Sequence, residues 1–365
     1  MTKIQRISTA QLFALLYISR MVINVTYNRY STDTTNLKYA VFTGISGFLL
    51  TLLMLIPIHL VVRAGNGRNI LDSTYSISKT FSVVIAIIYA FYFFYAILHT
   101  VSFFDTMVSY VFNPNLSVII LSAIGIIATI YGACKGVQTL ARASALFCVM
   151  IGIALLILIC TLIPKADFLN LEPLSTDNLP TIAKMTLSAL GKNACVPSMV
   201  MLIPLTNGKT KTLSVSWAFA VYASMSILTV FMVTVLGEYL YTQTFPVYTL
   251  TAVASLGVTR RLDGIFMGVW LVGMFVRVSL LLRLFSMCTE KFSGEKKAKL
   301  SIILCGGIIF IISALLSHNN TLSKNLFHPY LLLSLTLLTA VVLPLIVTVF
   351  INRKVRQTLS NSAKA

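Results

Sequence analysis

The stretch SALGKNACVPSMVMLIP, residues 188–204, lies near the middle of the chain and interrupts its own apolar pattern. Gly191, Lys192 and Asn193 stand together part-way along it, and Pro197 follows shortly after. A glycine lowers helix stability by about 1 kcal/mol, and a proline removes a backbone donor and clashes with the preceding turn. The pattern therefore predicts a helix that is broken near its middle. The alternative is a proline kink in an ordinary helix.

Similar apolar segments recur along the whole chain. Of its 365 residues, 57% are hydrophobic and 10% are charged, whereas a soluble globular protein carries about 25% charged residues. Most segments are about 17–25 residues long, which is the length that a helix needs to cross a bilayer. They lie at residues 10–27, 39–62, 81–104, 116–134, 143–163, 185–204, 213–235, 265–287, 300–316 and 330–351. The sequence therefore predicts an all-α polytopic membrane protein with about ten transmembrane helices.

The order of the segments suggests a five-plus-five inverted repeat within one membrane domain that covers residues 1–365. Repeat one would span about residues 10–163 and repeat two about residues 185–351, starting from the opposite side of the membrane because five is odd. The counterpart of the broken sixth segment is then the first, QLFALLYISRMVINVTY, which has no Gly or Pro but contains Ser19, Arg20 and Asn24. Residues 245–258 are too short to span and are predicted to form an interfacial or re-entrant element.

The net charge of +18 is explained by the side of the membrane on which the basic residues are predicted to lie. If the N-terminus is cytoplasmic, 17 of the 28 Lys and Arg residues fall in inside segments and 7 in outside segments. Cytoplasmic loops of membrane proteins carry such an excess, so both termini are predicted to be cytoplasmic. A nucleic-acid site would need a continuous basic face, which short dispersed loops do not provide.

Four cations remain inside the predicted spans: Arg20, Lys192, Arg277 and Arg283. A Lys or Arg at a helix centre costs roughly 2.5–3.5 kcal/mol on insertion scales. Arg283 lies near a helix end, from which its side chain can reach the interface. The other three are deeper, and none of the ten acidic residues falls within a predicted span. They indicate a positive cavity for a ligand with a carboxylate or another anionic group. The alternative is that each binds backbone carbonyls or a polar neighbour and only holds the bundle together.

The remaining reactive side chains give no pattern typical of an enzyme or a metal site. The six cysteines lie in or beside apolar segments without CxxC spacing, and the four histidines are dispersed. Paired sulfur and nitrogen ligands at short spacing are typical of zinc sites. We therefore predict no catalytic residues, no metal and no cofactor.

The chain resembles the endospore germination permeases, the B subunits of nutrient germinant receptors, in the amino acid–polyamine–organocation superfamily. Three stretches carry the likeness: ISTAQLFALL (residues 7–16), VMLIP (residues 200–204) and LGEYLYTQTFPVYTLTAVASLGVTRRLDGIFMGVWLVGMFVR (residues 236–277). The third is the most specific. Its matching positions are Gly237, Glu238, Phe245, Pro246, Arg261, Asp263, Phe266, Trp270 and Phe275.

The resemblance implies a LeuT-like bundle with a germinant site between the first and sixth helices and their neighbours. On this chain the site would comprise Ser19, Arg20, Asn24, Gly191, Lys192, Asn193, Ala194 and Arg277. The resemblance also implies a location in the inner spore membrane, an amino acid or another small nutrient as ligand, and A-type and C-type receptor subunits as partners. Family members usually have a glycine-containing break in the first helix, whereas this chain has Ile18-Ser19-Arg20-Met21.

Three functions are compatible with the sequence. The first is a receptor subunit that binds a nutrient and triggers germination. The second is a secondary active transporter of amino acids or related small anions. Ion-coupled carriers often place a carboxylate near the midplane of the membrane, and its expected absence favours the receptor. The third is a scaffold with an inactive pocket, which the altered first helix would fit.

Overall fold

Helices make up almost all of the described structure. The computed structural model describes residues 6–26, 40–111, 118–172, 178–255, 262–294, 297–317 and 320–362. The first half contains α1 (Thr9–Thr26), α2 (Ala40–Ala64), α3 (Ile70–Tyr75), α4 (Lys79–Val111), α5 (Val118–Lys135) and α6 (Val137–Leu162). The second half contains α7 (Leu179–Gly191), α8 (Cys195–Leu202), α9 (Thr210–Leu236), α10 (Pro246–Val253), α11 (Asp263–Ser293), α12 (Ala298–Ser317), α13 (Asn320–Leu326), α14 (Pro329–Leu337) and α15 (Leu343–Ser362).

Within these residues, nine helices are long and apolar enough to cross a membrane, or ten if the bent pair α7–α8 forms one span. They follow the ten predicted segments in order, so the predicted all-α polytopic fold is confirmed. The short helix α10 occupies the stretch predicted not to span. The predicted segment ends at residues 27, 39, 116 and 258 lie outside the described residues.

The predicted end of the third segment, residue 104, is too early. The helix α4 continues past residue 104 to Val111 and buries Asp105, whose side chain is only 6% exposed. The hydroxyls of Ser122 on α5 and Ser313 on α12 donate to its two carboxylate oxygens. The expectation that no acidic residue lies within a span was therefore wrong, because hydroxyls on neighbouring helices satisfy the carboxylate where water would otherwise be needed.

Apolar side chains at helical spacing form the outer surface of the bundle. On α2 the exposed residues are Ile45, Leu49, Leu53, Ile56 and Leu60, each three or four positions after the last. Residues at this spacing share one face of a helix. A face of exposed isoleucines and leucines is stable in lipid, where it needs no polar partner, and it accounts for the excess of apolar residues in the composition.

A short strand pair joins the two predicted repeats at one end of the bundle. The strands β1 (Ile7–Ser8) and β2 (Thr206–Asn207) pair in parallel, with Ile7 opposite Thr206. The Arg6 side chain adds a hydrogen bond of 3.2 Å from Nη1 to the Asn207 Oδ1. The chain entering α1 is thus fixed to the chain that leaves α8.

The helix α11 lies at the centre of the bundle and packs against α1, α4, α5, α6 and α12. Glycine permits its close approach to α5. A Cβ atom added at Gly132 would lie 2.7 Å from the Phe275 Cζ and 2.7 Å from the Ser279 Oγ. Small residues at helix contacts are typical of membrane bundles, because dispersion contacts between closely packed helices stabilise them.

We expect Gly132→Leu to destabilise the bundle by about 1–3 kcal/mol, since the extra side chain must displace α11. The measurement is the apparent melting temperature of the protein purified in detergent. The matched control is Gly152→Leu on α6, where an added Cβ would meet no atom within 4 Å. Equal losses in the two variants would contradict the packing described for α5 and α11.

Candidate ligand-binding site

The sixth span is broken where the sequence predicts it. The helix α7 ends at Gly191, α8 begins at Cys195, and the two are bent by 41°. Residues 192–194, here called the break, lie between them. Pro197 is in the first turn of α8, where its missing N–H has no helical partner to lose. The proline is therefore tolerated within the second half-helix, and the interruption itself is the break.

A helix that stops inside the bundle leaves its last carbonyl groups without a backbone N–H donor, and other helices provide donors for them. The hydroxyl of Thr336 on α14 donates to the Gly191 carbonyl at 2.8 Å. A Cβ atom added at Gly191 would lie 2.8 Å from the Leu333 backbone nitrogen. Glycine is required here because the backbones of α7 and α14 approach each other closely, which brings the Thr336 hydroxyl within reach.

Arg20 provides the second donor to α7. Its guanidinium is buried, and Nη2 donates to the Ala189 carbonyl at 2.9 Å. Within the described part of the chain, its Nε and Nη1 have no hydrogen-bond partner. Arg20 therefore both caps α7 and keeps two donors that can bind another acceptor.

Arg277 links three helices. From α11, its Nη1 donates to the Ser19 carbonyl of α1 at 2.7 Å, and its Nε donates to the Thr100 hydroxyl of α4 at 3.0 Å. Both Arg277 and Ser19 are only 1% exposed. The acceptors are a neutral carbonyl and a neutral hydroxyl, so the positive charge of Arg277 stays uncompensated by these contacts.

Asn193 is the most unusual residue in the break. It is fully buried, and neither its Nδ2 nor its Oδ1 has a hydrogen-bond partner among the described residues. Leaving a buried polar group unsatisfied costs about 1–3 kcal/mol. A buried amide with both polar atoms unpaired, four residues after the carbonyl that Arg20 binds, is suited to hydrogen-bonding a small polar molecule.

The other predicted site residues lie around this centre. Lys192 is half-buried at the end of α7, and Ala194 is buried at the start of α8, where its carbonyl accepts from the Ser198 hydroxyl at 2.7 Å. Asn24 is half-buried on α1. It follows Arg20 by four residues and so shares its helix face. The structure thus brings Arg20, the end of α7 and the break together, with Ser19 joined to Arg277 and Asn24 one turn further along α1.

Sequence reasoning missed the hydroxyl groups that support these residues. Thr100 and Thr336 hold Arg277 and the Gly191 carbonyl respectively, and the Tyr92 hydroxyl lies 3.3 Å from that of Thr336. Threonines inside apolar spans commonly bond their own helix. No feature of the sequence distinguishes these threonines from their neighbours.

An apolar cavity of about 90 Å³ lies on the other face of α1. Along α1 it is lined by Ile18, Met21, Val22 and Val25, and across from them by Trp270 on α11, among other side chains. The Trp270 Nε1 donates to the Thr26 hydroxyl at 2.7 Å, which leaves the indole ring as an apolar wall. None of the predicted site residues lines this cavity, so the polar cluster and the cavity are separate features of α1.

Comparisons with known proteins identify both the fold and the family. A family model described as "Spore germination protein" matches residues 6–322. A Na⁺-coupled sialic acid symporter, in a substrate-bound outward-open state, has a TM-score of 0.65 at 11% identity, over 93% of this chain and 80% of its own. A manganese transporter of Eremococcus coleocola has a TM-score of 0.48 at 12% identity, over 92% and 78% of the two chains. No curated protein sequence matches. The predicted LeuT-like fold is confirmed, and at these identities the solved structures show the fold alone.

We expect Asn193→Leu to raise the stability of the ligand-free protein by about 1–2 kcal/mol, because it removes two unsatisfied polar atoms and keeps the number and branching of the side-chain heavy atoms. The control is Thr336→Val, which removes a satisfied hydroxyl and should destabilise by about 1 kcal/mol. The measurement is thermal unfolding of the two purified variants beside the wild type. A loss of stability in Asn193→Leu equal to that in Thr336→Val would show that Asn193 is an ordinary structural residue.

Proposed function

Because the chain belongs to the spore germination permease family, we propose that it is the membrane subunit of a spore nutrient germinant receptor. It binds a small nutrient such as an amino acid and triggers germination. The observation that carries the proposal is the cluster at the break, where the guanidinium of Arg20 and the amide of Asn193 keep buried polar atoms without protein partners. A multi-pass membrane protein with a permease fold supplies the setting for such a site.

The charge of the cluster selects an anionic ligand group. Arg20, Lys192 and Arg277 bring three positive charges to the same region, and the acceptors shown for the two arginines are neutral. A carboxylate matches the positive charge of the guanidinium and can accept a charge-assisted hydrogen bond from its free Nε or its free Nη1. In secondary transporters, half-helix termini at a break also face the charged groups of the substrate. An amino acid carboxylate is therefore the group that we place against Arg20.

The other residues have supporting roles in this proposal. Asn193 offers one donor group and one acceptor, which suits both the ammonium and the carboxylate of an amino acid. Lys192 adds charge, Gly191 and Ala194 shape the backbone at the break, and Asn24 extends the polar face of α1. Arg277 and Ser19 hold α1 against α11 and act on the ligand through the position of Arg20. No residue in this arrangement is assigned a catalytic role.

We also propose the receptor's location and partners. The family and the positive-inside pattern support the inner spore membrane with both termini in the cytoplasm, and the family supports assembly with A-type and C-type receptor subunits. Membrane lipid contacts the apolar outer faces. The excess of Lys and Arg on one side orients the chain.

A secondary transporter of amino acids or related anions is the second candidate. The fold shared with a Na⁺-coupled symporter favours it, and the buried Asp105 removes the argument that the spans contain no carboxylate. Against it, α1 is a continuous helix fixed at Ser19 by Arg277, whereas transporters of this fold build their sites on discontinuous helices. Gradient-driven uptake of an amino acid into liposomes that contain the purified protein would favour the transporter.

The test is germination of spores that carry Lys192→Ala or Asn193→Ala, dosed with a panel of amino acids. Losing a hydrogen bond to a charged group costs roughly 1.5–3 kcal/mol, so the nutrient concentration for half-maximal germination should rise roughly 10–100-fold. Lys211→Ala is the control, because Lys211 is an exposed lysine at the start of α9. Equal protein levels are verified by immunoblot. Wild-type dose responses in both site variants would remove the support for a site at the break.

A further inference from the structure

Asp105 forms a second polar centre away from the break. It lies on α4, five residues beyond Thr100, the residue that holds Arg277. This spacing is about 7.5 Å along the helix axis. Its carboxylate oxygens accept from the hydroxyls of Ser122 on α5 and Ser313 on α12. Asp105, Ser122 and Ser313 each lie within six residues of a helix terminus at the same end of the bundle. These termini are Val111 of α4, Val118 of α5 and Ser317 of α12.

The charge of this carboxylate is not balanced by the contacts that the structure shows. In the described part of the chain, the two ion pairs join Arg283 to Glu290 and Lys291 to Asp72, and neither includes Asp105. The partners of Asp105 are two neutral hydroxyls. Burying an ionised carboxylate is costly unless a positive charge compensates it.

The structure has a small cavity beside this carboxylate, with space for one water molecule or one small ion. A cavity of about 10 Å³ is lined by the polar residues Asp105, Ser122 and Ser317 and by apolar side chains of α5 and α12. A space of this size is close to the smallest that holds a single water molecule. The oxygens around it are carboxylate and hydroxyl groups, which are the ligands preferred by hard cations.

We propose that Asp105 and Ser122, which line this cavity, bind a sodium ion there, while the Ser313 hydroxyl holds the second carboxylate oxygen of Asp105. A monovalent cation balances the single negative charge, whereas a divalent cation would leave a net positive charge in a buried site. Magnesium also dehydrates reluctantly and keeps several waters, for which the cavity has no space. The Ser122 hydroxyl has two acceptor lone pairs beside its donor, so it can turn an oxygen lone pair to the ion. The bound ion ties α4, α5 and α12 together at the end of the bundle where these helices approach the membrane surface.

The experiment measures the thermal stability of the purified full-length protein in sodium, potassium, lithium or choline chloride at fixed ionic strength and pH. We expect the melting temperature to rise saturably with sodium and to stay unchanged with potassium and choline. Asp105→Asn keeps the size of the side chain and removes its charge, so the sodium response should disappear. Ser122→Ala should raise the sodium concentration for half the effect at least about tenfold.

Asp72→Asn is the control, because Asp72 is an acidic residue at the surface that is paired with Lys291. It should keep the sodium response of the wild type. A wild-type stability that is independent of the cation would overturn the proposal, as would a sodium response that survives in Asp105→Asn. A melting temperature that depends on pH and not on sodium would also contradict the proposal, because it would show that the Asp105 carboxyl group is protonated and binds no ion. None of these results bears on the nutrient dose response, which tests the break separately.

Discussion

Backbone hydrogen bonding inside lipid is the constraint on which the rest of this structure depends. A helix can end within the bilayer only where other groups satisfy its freed carbonyls. Here the donors come from opposite sides of α7: Arg20 binds the Ala189 carbonyl and Thr336 binds that of Gly191. Both contacts require close packing, and the missing Cβ at Gly191 permits it on the α14 side. The break is therefore a supported feature of the bundle, and its position determines where polar side chains can face the interior.

The arginines at this centre have different roles despite their shared charge. Arg277 uses Nη1 and Nε to tie α1 and α4 to α11. Arg20 uses one nitrogen to cap α7 and leaves two buried donors free among the described residues. A buried residue that keeps free donors is a better candidate for binding a ligand than one that is fully engaged in packing. For the proposed function, this difference favours Arg20 and Asn193 over Arg277 as the groups that contact the anionic end of a nutrient.

Much of this architecture can be predicted from the sequence, because lipid imposes length and polarity on each span. The ten segments, the broken sixth span and the buried cations all follow from that rule. Asp105 was missed because the apolar run stops at Phe104, and the serines that satisfy the carboxylate lie on α5 and α12, at distant positions in the chain. The supporting roles of Thr100 and Thr336 were missed for the same reason. Pairings between helices depend on packing, which hydropathy along one segment does not encode.

The most direct test of the proposed site is a cryo-electron microscopy structure of the protein with an amino acid found active in the germination assay. We expect ligand density at the break, with the carboxylate against the Arg20 guanidinium and polar contacts to Asn193. Density confined to the apolar cavity beside Ile18 and Met21 would contradict it, because the ligand would then contact none of the groups that the break leaves available.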